Sequence, residues 1–184
     1  MTRTQFWRIS DEYSKSQPPT EPQAPVNSVL WHQAAEFCNR LSQLEGILPV
    51  EFCYVQFDSA AGVRWRQKPN ALELTGYRLP TDDEWEIACR AGTSTIRPHG
   101  DAATWLHKYV IGNHTEAGPV AVGLQKPNPF GLFDMLGNVS EWIHTADSDA
   151  ATEKGIRRLR GGSAWTAEDS LRSASWYHFL TGNK

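Results

Sequence analysis

The chain has 184 residues, 40% of them apolar, and a net charge of 18 − 21 = −3, which fits a single domain with its own core. Its one basic cluster is Arg157, Arg158 and Arg160, so nucleic-acid binding is disfavoured. No run approaches the roughly 18 apolar residues of a membrane span, and MTRTQFWRIS has no signal-peptide core, so the chain reads as soluble and cytoplasmic.

In chain order, Phe6, Trp7, Ile9 and Tyr13 make a short aromatic opening, and residues 14–25, rich in Pro, Ser and Gln, form a loop. Apolar positions at Trp31, Ala34, Ala35, Cys38, Leu41 and Leu44, with Phe37 beside them, predict a helix over 31–44 closed by Gly46. Residues 52–57 and 63–66 read as short strands joined by a turn at Ala60-Ala61-Gly62. Thr81 and Glu84 have the spacing of a capping box, which predicts a helix presenting Trp85, Ala88 and Cys89 to the core and ending at Gly92.

Residues 93–123 are loop-like, and His99, His107 and His114 within them lack the spacing of metal ligands, which favours surface positions. Three cysteines, Cys38, Cys53 and Cys89, read as buried free thiols, with a Cys38 to Cys89 disulfide as the alternative. Residues 127–142, PNPFGLFDMLGNVSEW, follow neither helix nor strand period, since Gly131 and Gly137 would each cost a helix roughly 1 kcal/mol. They predict a buried, turn-rich hub with Phe130, Leu132, Phe133, Met135, Leu136 and Trp142 pointing inward. Its Asp134, Asn138 and Glu141 then need side-chain, water or cation partners. A polar loop over 145–155 and a strand over 157–163, ending in a glycine turn, follow.

The blocks Gly131-Leu132-Phe133-Asp134-Met135, Gly137-Asn138-Val139 and Glu141-Trp142 resemble the signature of the formylglycine-generating enzyme family, or sulfatase-modifying factor domain. Pro25 to Val29, Tyr77 to Thr81 and Arg160 to Ser163 agree with it in order. The resemblance implies an α+β, C-type-lectin-like fold of two helices around a small antiparallel sheet, with much irregular loop, over the single domain 1–184. It also implies terminal strands that this sequence lacks, leaving an unpaired sheet edge from which self-association or poor stability is expected. Arg172-Ser173-Ala174 is expected to continue the family pattern as a strand.

The resembled enzymes bind Cu(I) through two cysteines just after the Gly-Gly-Ser block. Here Ala164 to Leu171 contains none, so no copper and no catalytic pair are expected. The resemblance implies a Ca²⁺ set of the Asp134 side chain with the Met135, Gly137 and Val139 carbonyls, the alternative being that Asp134 only caps loop amides. A second family calcium site would reduce to Asn113 and the His114 carbonyl and is expected to be absent. The expected function is a non-catalytic module binding a protein or small-molecule ligand through Trp165, Glu168, Asp169, Trp176, Tyr177 and His178. Core packing of these aromatics is the alternative, and it is the expectation for Trp165. The rival function is an oxidoreductase acting on a thiol substrate.

Overall fold

The computed structural model describes residues 1–10, 19–59, 62–113, 118–144 and 156–180. A capping box not anticipated from the sequence opens it. The Thr2 hydroxyl accepts from the Gln5 amide at 3.2 Å and Gln5 Oε1 accepts from the Thr2 amide at 2.8 Å, which starts helix α1, Arg3–Ile9. Phe6 is buried and stacks on Phe37 with ring centroids 5.5 Å apart. Tyr13 and the first half of the loop after it lie outside the described residues.

Helix α2, Trp31–Leu44, spans the expected range and buries Trp31, Ala34, Ala35 and Cys38. Its last turn departs from the stripe: Leu44 is exposed, and Asn39 and Ser42 are buried instead. The cause is hydrogen bonding, because Asn39 Nδ2 donates to the Tyr54 carbonyl at 2.8 Å and the Ser42 hydroxyl accepts from the Tyr77 amide at 2.8 Å. Gly46, at φ 77°, lets the Ile47 amide return to the Ser42 carbonyl at 2.9 Å and ends the helix.

Strands β1, Tyr54–Ser59, and β2, Gly62–Gln67, form an antiparallel hairpin with Ser59 opposite Gly62. Its Ala60-Ala61 turn lies outside the described residues. Helix α3, Asp82–Arg90, begins at the expected box, with Thr81 accepting from the Glu84 amide at 3.1 Å and Glu84 from the Thr81 amide at 2.8 Å. It ends through Ala91 in the left-handed region, one residue before Gly92. His99 stacks on Tyr109 at 4.5 Å, His107 is exposed, and His114 is outside the described residues.

Strands β3, Glu141–Trp142, β4, Ile156–Arg160, and β5, Trp176–Leu180, make a second antiparallel sheet in the order β3-β4-β5. Residues 145–155 are outside the described part. Side chains alternate along β4, so the Arg157 guanidinium lies 3.9 Å over the Trp31 ring while Arg160 reaches Asp82 and Glu86 of α3. The sheet therefore separates two cores. One contains Trp85, Cys89, Leu106, Ile143 and Leu171; the other contains Trp31, Ala35, Cys38, Cys53 and Tyr54. Cys38 and Cys89 sit in different cores as free thiols, which removes the disulfide alternative.

Two expectations fail. Arg172-Ser173-Ala174 is not a strand: the Ser173 and Ser175 carbonyls accept from Arg160 Nη1 at 3.1 and 3.4 Å, not from a neighbouring strand. In the hub, Phe130, Leu132 and Phe133 are 60, 40 and 48% exposed, whereas Met135 packs against a core and Leu136 is buried, as expected. Architecture is α+β with short helices and two small antiparallel sheets, α1 being additional to the two expected helices. Among the described residues no helix is long and apolar enough to cross a membrane.

Candidate functional site: the hub and the face beside it

Asn128 organises the first turn of the hub. Its Nδ2 donates to the Ala88 and Cys89 carbonyls at the end of α3, at 2.7 and 3.1 Å, and its Oδ1 accepts from the Phe130 and Leu132 amides, both at 3.0 Å. That arrangement ties the loop to the helix by its backbone and leaves the Phe130 and Phe133 rings outside. Asn138 does the same for the second turn. Its side chain exchanges hydrogen bonds with the Val120 backbone, its amide donates to the Ile111 carbonyl at 2.8 Å, and its carbonyl accepts from Ala164 at 2.9 Å. The preceding Gly137 has φ 83°, and a Cβ there would overlap the Ile111 carbonyl oxygen.

Two carboxylates stand in this hub. Asp134, at φ 56°, accepts from the Gly123 amide through Oδ2 at 2.8 Å, while its Oδ1 is buried with no donor. Glu141 Oε2 accepts from Trp85 Nε1 at 2.6 Å. Burial pushes the Glu141 carboxyl up, the Asp134 charge adds to that, and the Trp85 N–H works against it. The Met135, Gly137 and Val139 carbonyls accept no hydrogen bond among the described residues. Amide capping thus accounts for one Asp134 oxygen only. Asp134 Oδ1 is left without a donor among the described residues. Asn113, from the second family site, is exposed at φ 56°. The described residues contain no group of three or more His, Cys, Asp or Glu placed to hold a metal.

The expected ligand face follows the glycine turn at Gly161 and Gly162. Residues 164–175 have almost no regular structure, yet two buried guanidiniums hold their carbonyls. Arg97 Nε donates to Leu171 at 2.8 Å and Nη2 to Glu168 at 3.2 Å, and Arg160 takes Ser173 and Ser175. Arg97 and Arg160 are 4 and 3% exposed, so the segment rests on a fixed floor. Of the six expected ligand residues, Asp169, Trp176 and Tyr177 line one open depression of about 400 Å³, together with Ser170, Arg172 and Ser175. Glu168 and His178 are exposed outside it, His178 with its ring 4.7 Å from that of Trp176. Trp165 corrects the sequence expectation: it is 55% exposed because Ala164, not Trp165, fills the buried position after the turn. Arg97 was missed because nothing local marks a residue whose acceptors lie 71 and 74 positions away. Asn128 left a weak signal in its two flanking prolines.

All three thiols are buried. Burial pushes Cys38 up to about 12 and Cys89 up to about 11, and it also raises Cys53, whose Sγ donates to the Gly76 carbonyl at 3.2 Å.

Residues 2–181 match the family model of the sulfatase-modifying factor enzyme 1-like domain. The chain is 29% identical over 182 residues to the chaperone protein LppX of Paenibacillus barcinonensis, covering 83% of this chain and 62% of that protein. It is 32% identical over 172 residues to the inactive C-alpha-formylglycine-generating enzyme 2 of Bos taurus, covering 86% of this chain and 52% of that one. It thus spans less than two thirds of either relative's length. The fold superposes on the variable protein 1 of Treponema denticola with a TM-score of 0.75 at 24% identity, over 98% of this chain and 76% of that one. This chain belongs to the family of sulfatase-modifying factor enzyme 1-like domains.

Proposed function

We propose that the protein is a non-catalytic binding module of this family, taking a protein or small-molecule ligand on the face that carries Trp165, Glu168, Asp169, Trp176, Tyr177 and His178. The observation that carries this is the depression of about 400 Å³: residues singled out for ligand contact line it, over carbonyls fixed by Arg97 and Arg160. Fixing the backbone beforehand reduces the ordering cost of binding, and exposed aromatics supply contact area with few rotatable bonds. In the hub, Ca²⁺ held by Asp134 and the Met135, Gly137 and Val139 carbonyls would supply the partner that Asp134 Oδ1 lacks, and its role would be structural. The burial of all three thiols supports a function without thiol chemistry.

Two assays test this. A cysteine-containing sulfatase-type peptide incubated with the protein and Cu(I) should show no aldehyde product by mass spectrometry. Panning a displayed peptide library and a glycan array should yield binders that Trp176→Ala and Asp169→Ala lose, and that Ile87→Ala, on exposed α3 surface, keeps. Enzymatic aldehyde formation would establish instead an oxidoreductase acting on a thiol substrate.

A further inference from the structure

Away from the ligand face, the end of α2 and the turn that holds it carry a second surface. Leu44, Leu48 and Val50 are 68, 67 and 69% exposed, and Leu72 and Tyr77 are exposed as well. Hydrogen bonds join the two segments that bear them. Lys68 Nζ donates to the Val50 carbonyl at 2.8 Å, the Thr75 amide to Glu51 Oε2 at 3.1 Å, the Gly76 amide to the Glu51 carbonyl at 3.1 Å, and the Tyr77 amide to the Ser42 hydroxyl at 2.8 Å. Gly76 permits this approach, because a Cβ there would overlap the Glu51 carbonyl oxygen.

The same two segments are acidic. They carry Glu45, Glu51 and Glu73 against Lys68, whose ammonium is tied to the Val50 carbonyl. Arg40 and Arg78 nearby are paired with Glu36 and Glu84, and neither Glu45 nor Glu73 is ion-paired among the described residues. The last turn of α2 has no basic residue to offset the negative end of its dipole.

An apolar patch with a charged rim marks an interaction surface, and the sign of the rim selects the occupant. An anionic bilayer or a nucleic acid would meet these glutamates with like charge. A second copy presenting the same patch would set glutamate against glutamate, on a chain whose net charge is already −3. A segment with lysine or arginine around an apolar stripe complements both features at once. We propose that the surface formed by Leu44, Leu48, Val50 and Leu72, with Glu45 and Glu73 at its rim, docks a basic amphipathic segment of another protein. It shares no residue with the ligand face, so the proposal does not depend on what that face binds.

Two labelled peptides test it by fluorescence anisotropy with the whole chain, one of leucine and lysine at helical spacing and one of leucine and glutamate in the same pattern. The basic peptide should bind and the acidic one should not. Salt should weaken the binding, since the screening length falls from about 10 Å at about 0.1 M to about 3 Å at about 1 M. Leu48→Ser/Val50→Ser should lose about tenfold or more in affinity, because both side chains give up contact area. Glu45→Lys/Glu73→Lys should also lose binding. Asp58→Lys/Asp83→Lys changes the net charge equally at exposed positions off the patch and should bind like the wild type. Circular dichroism melts show whether each variant has kept the fold. A wild type that binds neither peptide, or both alike, overturns the proposal. So do folded patch variants that bind as tightly as the wild type, which would seat the peptide elsewhere, the ligand face included. Equal losses from the two charge reversals overturn it too, as attraction to net charge alone. If Leu48→Ser/Val50→Ser does not fold, the charge reversals decide.

Discussion

Trp85 Nε1 donates to Glu141 Oε2 at 2.6 Å across a sequence separation of 56, joining the best-capped helix of the chain to the end of its least regular segment. Trp85 is 2% exposed, so its ring is both a core residue and the donor that a buried carboxylate needs. Trp85→Phe keeps most of the ring and removes the N–H. A hydrogen bond to a charged group contributes about 1.5–3 kcal/mol, and the variant should lose about that much in urea denaturation. A loss below about 0.5 kcal/mol, the range of ordinary surface substitutions, would mean that solvent or a cation satisfies Glu141 without Trp85.

Arg97 should matter to the ligand face more than any residue on it. Arg97→Met retains much of the stem but takes the donor from the Leu171 carbonyl, while the Glu168 carbonyl keeps the Leu171 amide at 3.1 Å. An unsatisfied buried acceptor costs about 1–3 kcal/mol, and a loss in that range is expected. Hydrogen exchange should accelerate across residues 168–175 before the rest of the chain. Uniform acceleration would show that Arg97 stabilises the fold as a whole and not this segment.

The hub cation is testable by chelation. A ligand at about 100 times its dissociation constant that binds only the native state adds roughly 2.7 kcal/mol, and each kcal/mol moves the midpoint of a domain this size by roughly 2–4 °C. Chelator should therefore lower the melting temperature of the wild type by several degrees. Asp134→Asn should weaken the response to Ca²⁺ while leaving the chelated protein almost as stable as the chelated wild type. An unmoved midpoint in both experiments would leave Asp134 as a cap on Gly123 alone.

Acid should expose the Glu84 interactions. Arg78, with Nη1 and Nη2 at 2.7 and 2.8 Å, and then the Thr81 amide hold the Glu84 carboxyl down to about 2, from an ordinary value of 4.5. A carboxyl lowered on folding stabilises the protein above its unfolded value, and the contribution disappears as pH falls through the folded one. Wild type should thus exceed Glu84→Gln in stability at neutral pH, with the gap closing between pH 4.5 and about 2. Glu84 is 48% exposed, so solvent screening keeps the charge contribution small. A gap that does not change with pH would assign the whole effect to neutral hydrogen bonding at the helix start.

What the sequence by itself determined is the part governed by short range. The α3 cap needs only Thr81 and Glu84 three positions apart, the α2 stripe repeats within one helix, and the Gly137-Asn138 turn demands a backbone that few other residues adopt. The Gly137-Asn138 turn is also one of the blocks that led to the family and the fold class. The tertiary structure decided which way the irregular segments face. Phe130, Leu132, Phe133 and Trp165 were expected inside because they are large and apolar, but Asn128 and Ala164 fix the backbone around them so that the rings point out. The floor of the ligand face is likewise absent from any local pattern. Arg97 and Arg160 are ordinary charged residues in the sequence, and they become the donors for residues 168–175 only because the folded chain buries them beside four carbonyls with no strand to pair with.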